Sequence, residues 1–142
     1  MRIIAVLFII LALVIGIVPQ FTDCYSQGKV IELPTGKTIP MKCHWSARAE
    51  LALALPLLVT GVLMLVNRRK QTLRSLSIVA LTLGIVTMLV PTYLIGVCTN
   101  PDMICAMLMR PTVLLAGALT VVVSIVALVY LRGPEPEQAA AG

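Results

Sequence analysis

The stretch LSIVALTLGIVTMLVPTYLIGV, from Leu76 to Val97, carries no charged side chain. Its length is about the 20 apolar residues that a helix needs to cross the hydrocarbon of a bilayer. Three further blocks share its character: Ile3 to Val18, Leu51 to Val66 and Val113 to Leu131. The chain as a whole is 59% hydrophobic and 12% charged, against about 25% charged residues in an average soluble domain. A soluble core has no room for that excess. Inside lipid, an open sheet would leave backbone polar groups unsatisfied, whereas a helix bonds its own. The blocks therefore predict an all-α membrane protein, a four-helix transmembrane bundle with spans at about 3–20, 47–66, 74–96 and 111–131. The intervening loops, 20–46 and 97–110, are too short to be domains. One transmembrane domain over 1–132 leaves a polar tail, 133–142, expected to be disordered and cytoplasmic.

The first block follows Met1-Arg2, the start of a secretory signal in outline. Its exit, Val18-Pro19-Gln20-Phe21-Thr22-Asp23-Cys24, offers no small-x-small cleavage pattern, so the helix is expected to be retained.

Charge predicts orientation. Arg68, Arg69, Lys70 and Arg74 crowd into one short loop that shares a side with Arg2 and Arg132, which favours that side as cytoplasmic. Both termini then lie inside, and the expected location is the cell membrane. Lys29, Lys37, Lys42, Arg48 and Arg110 fall on the opposite side. All four cysteines, Cys24, Cys43, Cys98 and Cys105, also fall on that outer side, where oxidation is permitted. The net charge of +5 then reads as topology and attraction to lipid headgroups, with no nucleic-acid partner implied.

The two hairpins resemble each other. One leaves the membrane at Val18-Pro19-Gln20-Phe21 and the other at Val90-Pro91-Thr92-Tyr93. One returns through Met41-Lys42-Cys43 and Arg48, the other through Met103-Ile104-Cys105 and Arg110. Met-x-Cys-x4-Arg thus occurs twice at the start of a returning helix. Because both hairpins start on the same side, a duplication implies a pseudo-twofold axis along the membrane normal. Small residues at four-residue spacing, Ala12 and Gly16, Ala80 and Gly84, and Ala116, Thr120 and Ser124, mark where helices approach closely. No ionisable residue is expected in mid-span, which argues against a self-sufficient pump or channel.

Chemistry is confined to the two outer loops. Lys29 to Pro40 reads as two short extended pieces around Pro34-Thr35-Gly36-Lys37. For the cysteines the plainest expectation is structural disulfides, most simply Cys24 with Cys43 and Cys98 with Cys105, although four cysteines allow three pairings. A sharper alternative is a thiol oxidoreductase, since the layout is similar to that of the disulfide-bond-forming membrane proteins that pass electrons to quinone. No Cys-x-x-Cys motif supports it. The third alternative is copper or zinc binding through Met41, Cys43, His44, Met103 and Cys105, a set rich in soft ligands. Arg48 and Arg110 sit in the first turns of helices, where the dipole disfavours a cation. Pairing with Glu50, Asp23 or Asp102 is the expected compensation. His44, Trp45, Arg48, Glu50, Asp102 and Arg110 form the candidate binding surface at the outer mouth. No catalytic residue is expected.

The run Met41-Lys42-Cys43-His44-Trp45-Ser46-Ala47-Arg48-Ala49-Glu50, with Val18 to Phe21, Asp23-Cys24, and Pro91 to Cys98 followed by Pro101-Asp102-Met103 and Cys105, resembles a family of small prokaryotic four-span membrane proteins, a domain of unknown function. The resemblance implies topology and no activity. It also implies an accessory role beside an export-type ABC transporter. The expectation is a non-enzymatic accessory or scaffold subunit in the lipid bilayer, bound to a transporter-type complex or to copies of itself.

Overall fold

The computed structural model describes residues 2–26, 28–97, 100 and 102–132. The polar tail, Cys98 and any disulfide involving Cys98 lie outside the described residues.

Four helices dominate: α1 (Arg2–Thr22), α2 (Lys42–Val66), α3 (Lys70–Leu89) and α4 (Arg110–Tyr130). A π-helical turn, Val90–Leu94, prolongs α3, and another, Cys105–Met109, opens α4, so that all four units are long and apolar enough to span a membrane. Each turns a narrow stripe inward. On α1 the buried residues are Ala5, Phe8, Leu11, Ala12, Ile15, Gly16, Pro19 and Thr22, spaced three and four apart as one helical face requires. The outward residues Ile3, Val6, Leu7, Ile10, Leu13 and Ile17 are equally apolar yet exposed. An apolar exterior of that extent would be untenable in water and suits lipid.

Small residues set the interhelical distances, as the four-residue spacing predicts. Ala12, Gly16, Ala80, Gly84, Ala116, Thr120 and Ser124 are all buried. A Cβ on Gly84 would stand 3.2 Å from the carbonyl oxygen of Gly117, and one on Gly117 would stand 3.2 Å from that of Gly84, so α3 and α4 meet backbone to backbone there. Gly61 plays the same part in the first hairpin, where a Cβ would come within 3.2 Å of the Ala5 carbonyl on α1. Three buried hydroxyls are satisfied within their own helices: Ser77 donates to the Leu73 carbonyl at 2.9 Å, Thr120 to Ala116 at 2.8 Å and Ser124 to Thr120 at 2.7 Å. They pack like alanines and leave no polar group bare.

At one end of the bundle, here the loop end, the α1–α2 connection forms a two-stranded antiparallel ladder, β1 (Ile31–Glu32) and β2 (Thr38–Ile39), with Ile31 opposite Ile39. Its turn uses Gly36 at φ 75°, a conformation that suits glycine. Across the bundle, Gln20 Nε2 donates to the Ala47 carbonyl at 2.8 Å, and Ser46 Oγ to the Gly96 carbonyl at 2.7 Å. These bonds tie α2 to α1 and to the segment that follows the third span.

Helix α2 begins at Lys42 and the fourth span at Cys105, earlier than hydropathy indicates. Polar residues such as Lys42, His44 and Arg48 depress an apolar average without weakening a helix. Cys43 and Cys105 consequently lie in first helical turns and not in loops.

Candidate functional site

Three cysteines converge at the loop end. Helix α1 closes with Thr22, whose Oγ1 donates to the Val18 carbonyl at 2.9 Å. The chain then folds around Asp23, which accepts the Ser26 N–H at 2.8 Å on Oδ1, while Ser26 Oγ donates to the Asp23 carbonyl at 2.8 Å. This side-chain-capped turn brings Cys24 inward, leaving it 3% exposed. Cys43 (0%) arrives from the first turn of α2 and Cys105 (1%) from the π turn that opens the fourth span. The sulfurs of Cys24 and Cys43 are 3.4 Å apart, those of Cys24 and Cys105 3.1 Å, and those of Cys43 and Cys105 3.1 Å. An S–S bond measures about 2.05 Å, so none joins any two of these three.

The expected bond between Cys24 and Cys43 is therefore not formed. The reason is topological: Cys24 is at least as close to Cys105, in the other hairpin, as to Cys43 in its own. The repeated Met-x-Cys corners do meet, since Cys43 and Cys105 are their equivalent members.

Cys43 and Cys105 each lie at a helix N-terminus, where the backbone N–H groups present positive charge. Lys29 lines a small pocket together with Asp23, Cys24, Met103 and Cys105. Soft and apolar side chains complete the walls: the three cysteines form one buried cluster with Ala47, Met109 and Val113, and the half-buried Met41 and Met103 pack against it. The π turn puts Cys105 and Met109 on the same buried face.

Beside the sulfurs lies a polar pair that the sequence did not indicate. His44 Nδ1 and Asp23 Oδ2 are 2.9 Å apart, and the imidazole stacks at a tilt on Tyr25, ring centres 5.0 Å apart. Burial raises the Asp23 carboxyl, but its bonds from Ser26 and His44 outweigh this and hold it below the ordinary aspartate range. His44 thus reaches Asp23 and does not join the sulfurs: among the described residues, the donors gathered within 4.8 Å of one another are the three cysteine sulfurs.

The remaining candidates do not assemble. Trp45, Arg48, Asp102 and Arg110 are exposed, and among the described residues neither arginine has a carboxylate within ion-pair distance. Glu50 corrects the expectation most sharply. Expected at headgroup level as a partner of Arg48, it is 0% exposed, and neither carboxylate oxygen has a hydrogen-bond partner. Helix phase explains this, because Cys43, Ala47, Glu50, Ala54 and Leu57 follow one another at four- and three-residue steps along the buried face of α2. That spacing was the available signal.

Four membrane-length helices around a thiol cluster define a multi-pass membrane protein. Residues 3–130 match the family model described as a domain of unknown function, DUF4418, and the chain belongs to that family. No curated protein and no solved structure matched.

Proposed function

We propose that this protein holds a thiophilic metal ion at the loop end of its bundle, through Cys24, Cys43 and Cys105. One observation carries the reading: three buried sulfurs, delivered by three separate chain segments, lie mutually 3.1–3.4 Å apart. Ions bound to thiolates at about 2.3 Å hold their sulfurs somewhat under 4 Å apart, so the cluster would open by less than 1 Å to accept one. Helix N-termini at Cys43 and Cys105 and the Lys29 ammonium offset the negative charge that thiolates bring into a dry site.

The charge pattern supports placing this end outside the cell membrane, with both termini cytoplasmic. An accessory role in a transporter-type complex or a homo-oligomer would use the exposed aromatic rim of Phe21, Tyr25 and Trp45 around the site. Co-purification in mild detergent tests that role.

The same distances favour a second reading. A shift of about 1 Å joins any two of the sulfurs. The protein would then be a thiol oxidoreductase, releasing two protons and two electrons per bond to a quinone-class acceptor.

The test is anaerobic titration of the reduced, detergent-solubilised full chain with cadmium(II) or copper(I), read by sulfur-to-metal charge-transfer absorption. One ion per chain, lost in Cys43→Ser and Cys105→Ser, is expected. A chain that takes up neither ion overturns the reading, and rapid reduction of an added quinone by its thiols would establish the second.

A further inference from the structure

We propose that Glu50 is a proton-binding site inside the bundle, and that it exchanges its proton with the loop end by way of Ser46 and not with the opposite end. The inference is independent of the metal site.

Glu50 lies well inside the second span, about 12 Å along the axis from Lys42 at 1.5 Å per residue. It is 0% exposed, and neither carboxylate oxygen has a hydrogen-bond partner. The other elements turn no cation toward that part of the bundle: α1 buries Ile15 and Pro19 there, the third span Thr87 and Pro91, the fourth Met109 and Val113. The next titratable groups up the buried faces of α2 and the fourth span are the thiols of Cys43 and Cys105. An apolar interior does not sustain an ionised carboxyl without a counter-charge, whereas it houses the acid, and an ionisable group kept at such a depth marks a functional position.

The fold does not require a carboxyl. In the repeated Met-x-Cys-x4-Arg pattern, the position seven residues after the cysteine is Glu50 in the first hairpin and Thr112 in the second. The Thr112 hydroxyl donates to the Leu108 carbonyl at 2.6 Å and is satisfied within its own helix. Glu50 has no such partner, so the first hairpin carries a cost in stability that the second avoids.

Polar groups lead from Glu50 in one direction. Ser46, also 0% exposed, stands one turn nearer the loops on the same helix, and its Oγ donates to the Gly96 carbonyl at 2.7 Å. Side chains at this spacing are about 5–6 Å apart at Cβ, and helical side chains lean toward the N-terminus, so a turn of the glutamate brings its carboxyl to the hydroxyl. Toward the other end the buried face of α2 continues with Ala54 and Leu57, and the Thr60 hydroxyl beyond them is committed to the Pro56 carbonyl at 2.7 Å. The path is therefore open to the loop end and closed below.

Infrared spectroscopy of the full chain in detergent tests this. The wild-type minus Glu50→Gln difference at pH 7 should show a carboxylic-acid carbonyl band. On transfer to D2O that band should shift faster than the backbone amides exchange. Ser46→Ala should slow the shift by about tenfold or more, Ser46→Thr should keep the wild-type rate, and so should Thr60→Val, with melting temperatures reporting folding. Absence of a Glu50-dependent band overturns the proton site. A band that shifts only as the amides exchange makes Glu50 a sealed structural group. Equal effects of Ser46→Ala and Thr60→Val, or a wild-type rate in Ser46→Ala, overturn the route through Ser46.

Discussion

The sulfurs of Cys43 and Cys105 lie 3.1 Å apart across 62 residues of chain, each at the N-terminal start of its own membrane-spanning helix. Two returning helices of similar sequence therefore present their positive ends to one point. The contact is buried beneath the loops, so access to the thiols is restricted.

Restricted access is measurable. Cys24, Cys43 and Cys105 should alkylate slowly in the folded protein and quickly once detergent denaturation opens the bundle. Preloading with cadmium(II) should slow the folded-state reaction further. Mass spectrometry of maleimide-labelled peptides checks this, and fast labelling of Cys43 in the folded chain would contradict its burial.

Glu50 is a buried carboxyl with no hydrogen-bond partner. Glu50→Leu should stabilise the protein, by about 1–3 kcal/mol, because it removes an unsatisfied polar group from an apolar interior, whereas Glu50→Gln leaves a polar amide in the same place and should stabilise less. Melting in mild detergent reports the result. A lower melting temperature in both variants would mean that the carboxyl has a stabilising contact.

Close helix packing predicts a cost at Gly61. An added Cβ would stand 2.9 Å from Ile9 Cγ1 and 3.2 Å from the Ala5 carbonyl. Gly61→Ala should destabilise by about 1–3 kcal/mol, while Val62→Ala, on the exposed side, should change little. Equal melting temperatures for the two variants would show that α1 and α2 are not held at this distance.

The Asp23–His44 pair predicts a pH dependence. A carboxyl held below its ordinary value contributes stability above its unfolded pKa of about 3.9 and loses it as pH falls through the folded value. Asp23→Asn should therefore melt below wild type at pH 7, and the difference should shrink when both are compared near pH 3. A difference that persists undiminished would point to packing in place of charge.

Topology has its own test. An epitope placed between Gly28 and Gly36 should react with a membrane-impermeant label on intact cells, and one at Asn67 should not. The reverse pattern would move the sulfur cluster to the cytosol.

Hydropathy alone determined the number of helices and their class, because crossing hydrocarbon demands apolar length whatever the neighbours are. Spacing alone marked the close approaches at Gly16, Gly84 and Ala116, since one helix face repeats every three to four residues. Tertiary structure decided the rest. Whether Cys24 faces Cys43 or Cys105 depends on how two hairpins lean together, and no local pattern encodes that. Glu50 and Arg48 are two residues apart and so point to different sides of α2, one into the bundle and one outward, a distinction visible only once the buried face is known. His44 was read as a ligand for its chemistry, but the turn at Asp23, fixed by Ser26, reached it instead.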